Sequence, residues 1–478
     1  FYFVMTDRFE NGDPANDTGG VTGDRLATGY DPASTGFYNG GDIAGLRSQL
    51  DYIHDLGTTA IWLTPSFKNK PVQGSGADAS AGYHGYWITD FTQIDPHLGT
   101  NAELEALIAE AHAKGMKVYF DIITNHTADV ISYQGGQYSY IDKETAPYVV
   151  DGVADVYNRW IDLGIDGFRI DTVKHVNFEF WEEWTTQVKD YAASVGKPDF
   201  FMFGEVYDAD PKKTSPYVRS TDMDSVLDFT FQSQAVGYAS GNSARGLANL
   251  FAGDDYYTTP HSSATALPTF LGNHDMGRVG YFLQNTDNAL QRDVLAHELM
   301  FLTRGQPVVY YGDEQGFAGA GQGNDRAARQ SLFASRVSEY TDQLLITGGQ
   351  AGSRDRFDQA APLYTSIAGL AALREAHPAL SAGAQIERYA DDGPGVYAFS
   401  RVDQAEKTEY LVAVNNSAQA RTVSVPTLTR QATFAPLYGT ESPVESDADG
   451  VTALSVPALG SVVWKADTLV GAPAAPEA

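Results

Sequence analysis

The amino-acid sequence predicts an α/β protein: a (β/α)8 TIM barrel followed by a smaller antiparallel β-sandwich domain. Two observations lead there. Over about 375 residues, short apolar runs rich in β-branched and aromatic residues alternate with segments of helical spacing, and eight such units fit one closed parallel sheet. After Pro378 the helices stop, and strand-like segments split by turn residues take over.

Phe1–Met5 is apolar throughout, as a strand buried on both faces should be. A chain that begins inside its first strand is expected to have lost residues upstream. Thr6 to Asp42 is a loop of Asn, Asp, Gly and Pro. Ile43–Leu56 has helical spacing closed by Gly57, and Thr59–Thr64 is the second strand, stopped by Pro65. Asn101 is read as the cap of a helix through Lys114, and Met116–Ile123 is the third strand. Pro147–Leu163 is helical and leads into Ile165–Ile170. Helix Phe178–Ala193 precedes strand Phe200–Val206, and a shorter strand, Ser225–Phe229, precedes a mostly helical stretch over 231–251. Leu267–Leu271, helix Ala289–Arg304, Pro307–Tyr311 and helix Thr365–Glu375 complete the barrel, over residues 1–376. Val396–Arg401, Glu409–Asn415, Arg421–Val425 and Ser461–Lys465 are the strands of the second domain, over 377–466, and 467–478 is read as a Pro/Ala-rich tail or linker.

The 478 residues carry a net charge of −29 and no cysteine. Such a charge repels nucleic acid and anionic membranes, and the lack of cysteine removes disulfides and thiolate chemistry. No apolar run approaches the length of a membrane span. Aromatic residues make up 12% of the chain, a composition suited to stacking on flat or ring-shaped ligands.

In a (β/α)8 barrel, function sits where the strands end. Read off in order, those ends carry His84 and Tyr86, Asn125 and His126, then Arg169, Asp171, Lys174 and His175, then Glu205, and last His274 and Asp275. Taken alone, Arg169-x-Asp171 is an ion pair closing a strand, Glu205 a solvated strand end and His274-Asp275 a turn. Five such ends on one face of one barrel point instead to a site. Three carboxylates among imidazoles suit cleavage of a glycosidic bond, in which one carboxylate attacks the anomeric carbon and a protonated one serves the leaving oxygen. Asp171 beside a permanent cation is the expected anion. Glu205, between Phe203 and Val206, is the expected acid.

The segments Asp121–His126, Gly167–His175, Phe203–Val206 and Phe270–Asp275, with Tyr83–Trp87, resemble the signature regions of the α-amylase family of glycoside hydrolases, in order and on the expected strands. The resemblance implies Asp171 as nucleophile, Glu205 as general acid/base and Asp275 as transition-state stabiliser. It implies His84, Tyr86, His126, Arg169 and His274 as binders of the same glucose, with Lys174 and His175 on the leaving-group side, as in the amylase and cyclodextrin glucanotransferase branch. The loop holding Asn11, Asp13, Asn16 and Asp17, with Gly40 and Asp42 later, resembles a calcium site of that branch. Asn125 and the carbonyl of His175 resemble ligands of a second, more general one. The family's protruding domain after the third strand is here reduced to 127–146, and a segment near Asp142–Thr145 is expected to be missing. The resemblance therefore implies a secreted, monomeric retaining enzyme, binding Ca²⁺ and cutting α-1,4-glucosidic bonds in starch, maltodextrins or cyclodextrins. An α-glucanotransferase, an α-1,6-acting member and a non-catalytic sugar-binding barrel are the alternatives.

Overall fold

Short runs buried on both faces cannot leave a polar edge or an apolar face in water, and pairing in parallel under a layer of helices removes both. In the computed structural model, which describes residues 1–130, 151–319 and 325–471, the strands β1 (Tyr2–Val4), β2 (Ala60–Leu63), β3 (Lys117–Ile122), β4 (Gly167–Ile170), β5 (Phe201–Gly204), β6 (Ser225–Val226), β7 (Pro268–Phe270) and β8 (Gln306–Tyr310) form one parallel sheet. Its order is β6-β5-β4-β3-β2-β1-β8-β7. No ladder joins β6 to β7. The seam is closed by Asp228 N–H donating to Pro268 O at 3.0 Å, and by Arg304, which reaches Asp228 at 2.6 Å and Asp254 at 2.7 Å. Aromatic side chains plug the interior: Phe3 stacks on Trp62 at 3.8 Å between ring centroids, with Phe203 edge-on at 5.4 Å.

The helices follow the predicted order with local corrections. The first splits at Gln49 into α1 (Ile43–Ser48) and α2 (Leu50–Asp55). In α3 (Asn101–Ala113) the cap is Thr100, not Asn101. The Thr100 hydroxyl accepts from Glu103 N–H and donates to the Glu103 carboxylate at 2.8 Å. Asn101 instead ties the helix to the short strand Ile88–Ile94 outside the barrel sheet through Ile94 N–H and Thr92 O. Next come α4 (Asp151–Leu163), α5 (Phe178–Ser194), α6 (Phe229–Ala239), α7 (Arg245–Phe251), α8 (Ala289–Leu302) and α9 (Pro362–Ala376). The sixth strand is shorter than expected because the Asp228 carboxylate accepts from Phe231 N–H and starts α6 there. Among the described residues no helix is long and apolar enough to cross a membrane.

The second domain holds more strands than the sequence suggested. β9 (Ala384–Ala390), β10 (Val396–Val402), β11 (Thr408–Asn415), β12 (Arg421–Pro426), β13 (Thr433–Tyr438), β14 (Val444–Glu445), β15 (Val451–Val456) and β16 (Gly460–Leu469) form a six-stranded antiparallel sheet, β9-β10-β11-β16-β13-β14, and a separate β12-β15 pair. The pair packs Val423, Val425, Leu454 and Val456 on the sheet. β9 escapes notice because it is an edge strand, half polar and bulged between Glu387 and Tyr389. β16 runs on to Leu469, which pairs with Thr408, so 467–469 belong to the sheet rather than to a tail.

Candidate active site

Arg169 sits at the centre of the barrel's C-terminal mouth with its side chain 2% exposed. It points inward because β4 places it in register with Asp121 on β3 and Phe203 on β5. Its Nη1 donates to Asp121 Oδ1 at 2.7 Å and to Asp171 Oδ1 at 2.9 Å, and its Nη2 meets Glu205 Oε2 at 3.0 Å. The Asp171 and Glu205 carboxyls are close enough to act on each other's titration. After Asp171 the chain turns through Thr172 at φ 50°, an unusual conformation for a β-branched residue. The turn aims Thr172 N–H at Glu205 Oε2, 3.0 Å away.

The other predicted residues line the same mouth. Tyr86 OH lies 3.0 Å from Asp121 Oδ2 and 2.9 Å from His274 Nε2, and its ring is nearly parallel to those of His84 and His274. Between His84 and Tyr86 the chain passes too close to Pro65 for any side chain, since a Cβ on Gly85 would lie 1.9 Å from Pro65 O. His84 Nδ1 accepts from Tyr86 N–H. Asp275 opens to solvent, its side chain half exposed, and is held by Arg329 at 3.1 Å and by His274 at 3.4 Å. His126 stands at the rim with Nδ1 3.0 Å from Asn125 Oδ1. Lys174 and His175 are exposed, and Lys174 Nζ donates to Tyr207 O at 2.6 Å.

The electrostatics tie the two carboxyls together. Burial, set against Arg169 but joined by Asp121 and Glu205, pushes Asp171 up to about 8. Burial also raises Glu205, but Arg169 and the Thr172 N–H outweigh it and hold the group below its ordinary value. One guanidinium cannot neutralise three buried carboxylates, so a proton stays on the cluster near neutrality. In the ligand-free site that proton belongs to the Asp171–Glu205 pair, with Asp171 raised and Glu205 lowered. Burial, with the Arg329 cation close by, keeps His274 and His84 neutral.

Sequence reading missed four contributors. Asp121 begins a recognised segment but received no role. Arg329 donates to His274 O, Tyr83 OH and Asp275, in a stretch to which no element was assigned. Tyr207, 55% exposed beside Lys174, was passed over as a residue beyond its strand. The Thr172 turn has no signal at all, because its residue type argues against the conformation it adopts.

At the proposed calcium loop, two amide oxygens, Asn11 Oδ1 and Asn16 Oδ1, are buried without a hydrogen-bond partner. Asn11 Nδ2 donates to Asp17 at 2.9 Å, and Gly40, at φ 108°, packs so closely that a Cβ would meet both groups. Asp42 has a different task. Its two oxygens accept from the N–H groups of Gly12, Asp13 and Gly45 and from Asn16 Nδ2, which fills a carboxylate's four acceptor positions and caps α1. Among the described residues no three carboxylate or imidazole side chains converge as a metal cage. Asn125 Oδ1 accepts from Thr172 Oγ1 at 3.0 Å, and the expected partners of that second site in 131–146 lie outside the described residues.

The class so defined is a (β/α)8-barrel protein with a carboxylate-rich pocket at its C-terminal mouth and a β-sandwich at its end. The chain belongs to the α-amylase family: the family model of the α-amylase catalytic domain matches residues 3–150 and 142–383. The two matched pieces meet at 142–150, where the sequence suggested a missing segment. An α-amylase of Streptomyces lividans is 48% identical over 95% of the chain. That alignment runs over 547 positions, more than the 478 residues available, so the relative carries segments without counterpart here. The chain in turn spans 59% of the relative's length. Among solved structures, an α-amylase from Geobacillus thermoleovorans complexed with acarbose superposes with a TM-score of 0.76 at 28% identity, covering 98% of both chains. A three-domain cyclomaltodextrin glucanotransferase superposes with a TM-score of 0.78 at 26% identity, covering 97% of this chain and 98% of its own.

Proposed function

We propose that the chain is a retaining glycoside hydrolase acting on α-1,4-glucosidic bonds of starch, maltodextrins or cyclodextrins. The convergence of Asp171, Glu205 and Asp275 around Arg169, under the rings of Tyr86 and His274, carries this reading. Asp171 attacks the anomeric carbon, Glu205 protonates the departing oxygen and then activates water, and Asp275 with His274 stabilises the positive charge of the flattened sugar. A retaining mechanism needs its two carboxyls close together, and Asp171 at 2.9 Å and Glu205 at 3.0 Å from the same guanidinium support that. The closeness of the two carboxyls supplies a route for the proton. Moving it from Asp171 to Glu205 leaves the total charge unchanged, and a glycosidic oxygen at Glu205 selects the productive form by accepting its hydrogen bond. A polymeric substrate argues for action outside the cell. The presence of all three carboxylates disfavours a purely sugar-binding barrel.

A second reading, transfer of the glucosyl group to another sugar, rests on Tyr207. Its exposed ring, two residues beyond Glu205 and under Lys174 Nζ at 5.5 Å, offers an acceptor sugar a face to stack on. Product analysis on maltopentaose, pullulan and a cyclodextrin decides. Only shorter linear products mean hydrolysis, longer or cyclic ones mean transfer, cleavage of the α-1,6 bonds of pullulan means the α-1,6-acting alternative, and no products from any of the three sink the glucan reading.

Calcium fits the first loop. Ca²⁺ takes oxygen ligands, and the unpartnered Asn11 and Asn16 oxygens with Asp13, Asp17 and the Gly40 carbonyl supply them, while Asp42 organises the loop. Bound there, the ion would pin the loop to the barrel. Chelation is expected to lower the melting temperature and added Ca²⁺ to restore it. An unchanged melting temperature would remove calcium from this loop.

A further inference from the structure

Asp121 is fully buried at the end of β3, below the cleft and out of reach of any sugar. Its surroundings are built of donors. Trp62 Nε1 donates to Oδ2 at 3.2 Å, Tyr86 OH lies 3.0 Å from the same oxygen, and Arg169 Nη1 donates to Oδ1 at 2.7 Å. Indole and guanidinium only donate, so the ionised carboxylate is the form this pocket fits. A Tyr86 hydroxyl that gives its proton to Asp121 must accept from His274 Nε2, 2.9 Å away. That fixes His274 as the Nε2–H tautomer and leaves Nδ1, which is buried and unpartnered, bare.

We propose, resting on the glucan reading above, that Asp121 is a positioning residue with two tasks. Through Oδ2 it locks the Tyr86 ring and, through the Tyr86 hydroxyl, the tautomer of His274. Through Oδ1 it claims the positive charge of Arg169, so that the Asp171–Glu205 pair must keep one proton between its two carboxyls. Asp121 and Asp171 share one Arg169 nitrogen, a spacing at which like charges in a buried site interact strongly. The charged and titratable groups facing this cluster are Arg169 from β4, Tyr86, Tyr157 from α4, and His274 and Asp275 beyond β7. Arg169 is the cation among them. The retained proton is the one a general acid must deliver, so a residue that never meets substrate sets the pH range in which the acid is armed.

The test is the pH profile of kcat/KM on a maltooligosaccharide for the wild type, Asp121→Asn and Tyr86→Phe. Asp121→Asn removes a negative charge and eases ionisation of the pair. Both limbs of its bell are expected to move to lower pH by about one unit, with kcat reduced about tenfold or more. Tyr86→Phe keeps the ring and the Asp121 charge. It should lower kcat more than it raises KM, with the limbs in place. Limbs of Asp121→Asn that superpose on those of the wild type overturn the proposal while leaving the glucan reading intact. A wild type inactive on every glucan overturns both. Should Asp121→Asn fail to fold, Tyr86→Phe alone decides, and wild-type turnover in it overturns the positioning role.

Discussion

The barrel holds a guanidinium cluster at each end, and the two balance their charge in opposite ways. At the mouth, one cation, Arg169, faces Asp121, Asp171 and Glu205. At the floor, Arg304 holds two carboxylates, and Arg374 and Arg401 stand close by with only backbone to bind. Arg374 donates to the carbonyls of Phe301, Leu380 and Gly305, and Arg401 to those of Leu302 and Gly383. Several of these carbonyls end α8 or the short helix Pro378–Ala382, where unsatisfied oxygens and the helix dipole welcome a cation. Surplus positive charge at the floor is thus absorbed by fixed dipoles. Surplus negative charge at the mouth is absorbed by a proton, which can move. The same side-chain chemistry gives rigidity at one end and reactivity at the other, in line with the division of labour in such barrels.

The comparison breaks most sharply at the mouth. Asp171→Asn should cut turnover of maltopentaose about a thousandfold or more while calorimetry still detects oligosaccharide binding. A loss under about tenfold would remove Asp171 from the nucleophile's role. At the floor, Arg304→Met leaves Asp228 and Asp254 buried without their cation and should cost about 3–5 kcal/mol in urea unfolding, with kcat near that of the wild type at low temperature. An unchanged unfolding midpoint would mean that the floor cluster contributes nothing. The smallest effect is in pH. Asp171 sits at about 8 in the fold against about 3.9 in an unfolded chain. Between those values the folded protein holds a proton that the unfolded chain has lost. The stability this group contributes is therefore complete below about pH 4 and lost as pH rises toward 8. The melting temperature of the wild type relative to Asp171→Asn should decline across that window. A rising difference would place the proton elsewhere in the free site.

Most of the architecture was legible because it rests on pattern. Eight buried runs, and carboxylates and imidazoles at their ends, are visible without coordinates, and the family resemblance ordered them. What stayed hidden depends on pairing at a distance. Arg329 reaches Asp275 across 54 positions, and Asp121 reaches Arg169 across 48, spacings that no local window can connect. The helix cap at Thr100 was misassigned by one residue because Asn101 is an equally good cap type. The surroundings of Glu205 stayed hidden for a different reason. Phe203 and Val206 flank Glu205 in sequence, but its strand aims the carboxyl at Arg169 and the Thr172 amide, so neighbours along the chain were a poor guide to neighbours in space.

The seam between β6 and β7 has a mechanical meaning. A cylinder of strands parts where its staves are least joined, and here no ladder but only single contacts span the gap: the Asp228–Pro268 amide hydrogen bond, Gln232 on Leu271 O, the Phe229–Phe270 rings and Arg304. Heat or force should open the barrel along that line, and amides of β6 and β7 should exchange with solvent before those of β3 and β4. The cluster around Arg169 hangs on β3, β4 and β5, the last of which pairs with β6 beside the gap. His274 and Asp275 follow β7 itself, so loosening at the seam should reach them before it reaches Asp171, whose strand β4 stands two staves from the gap.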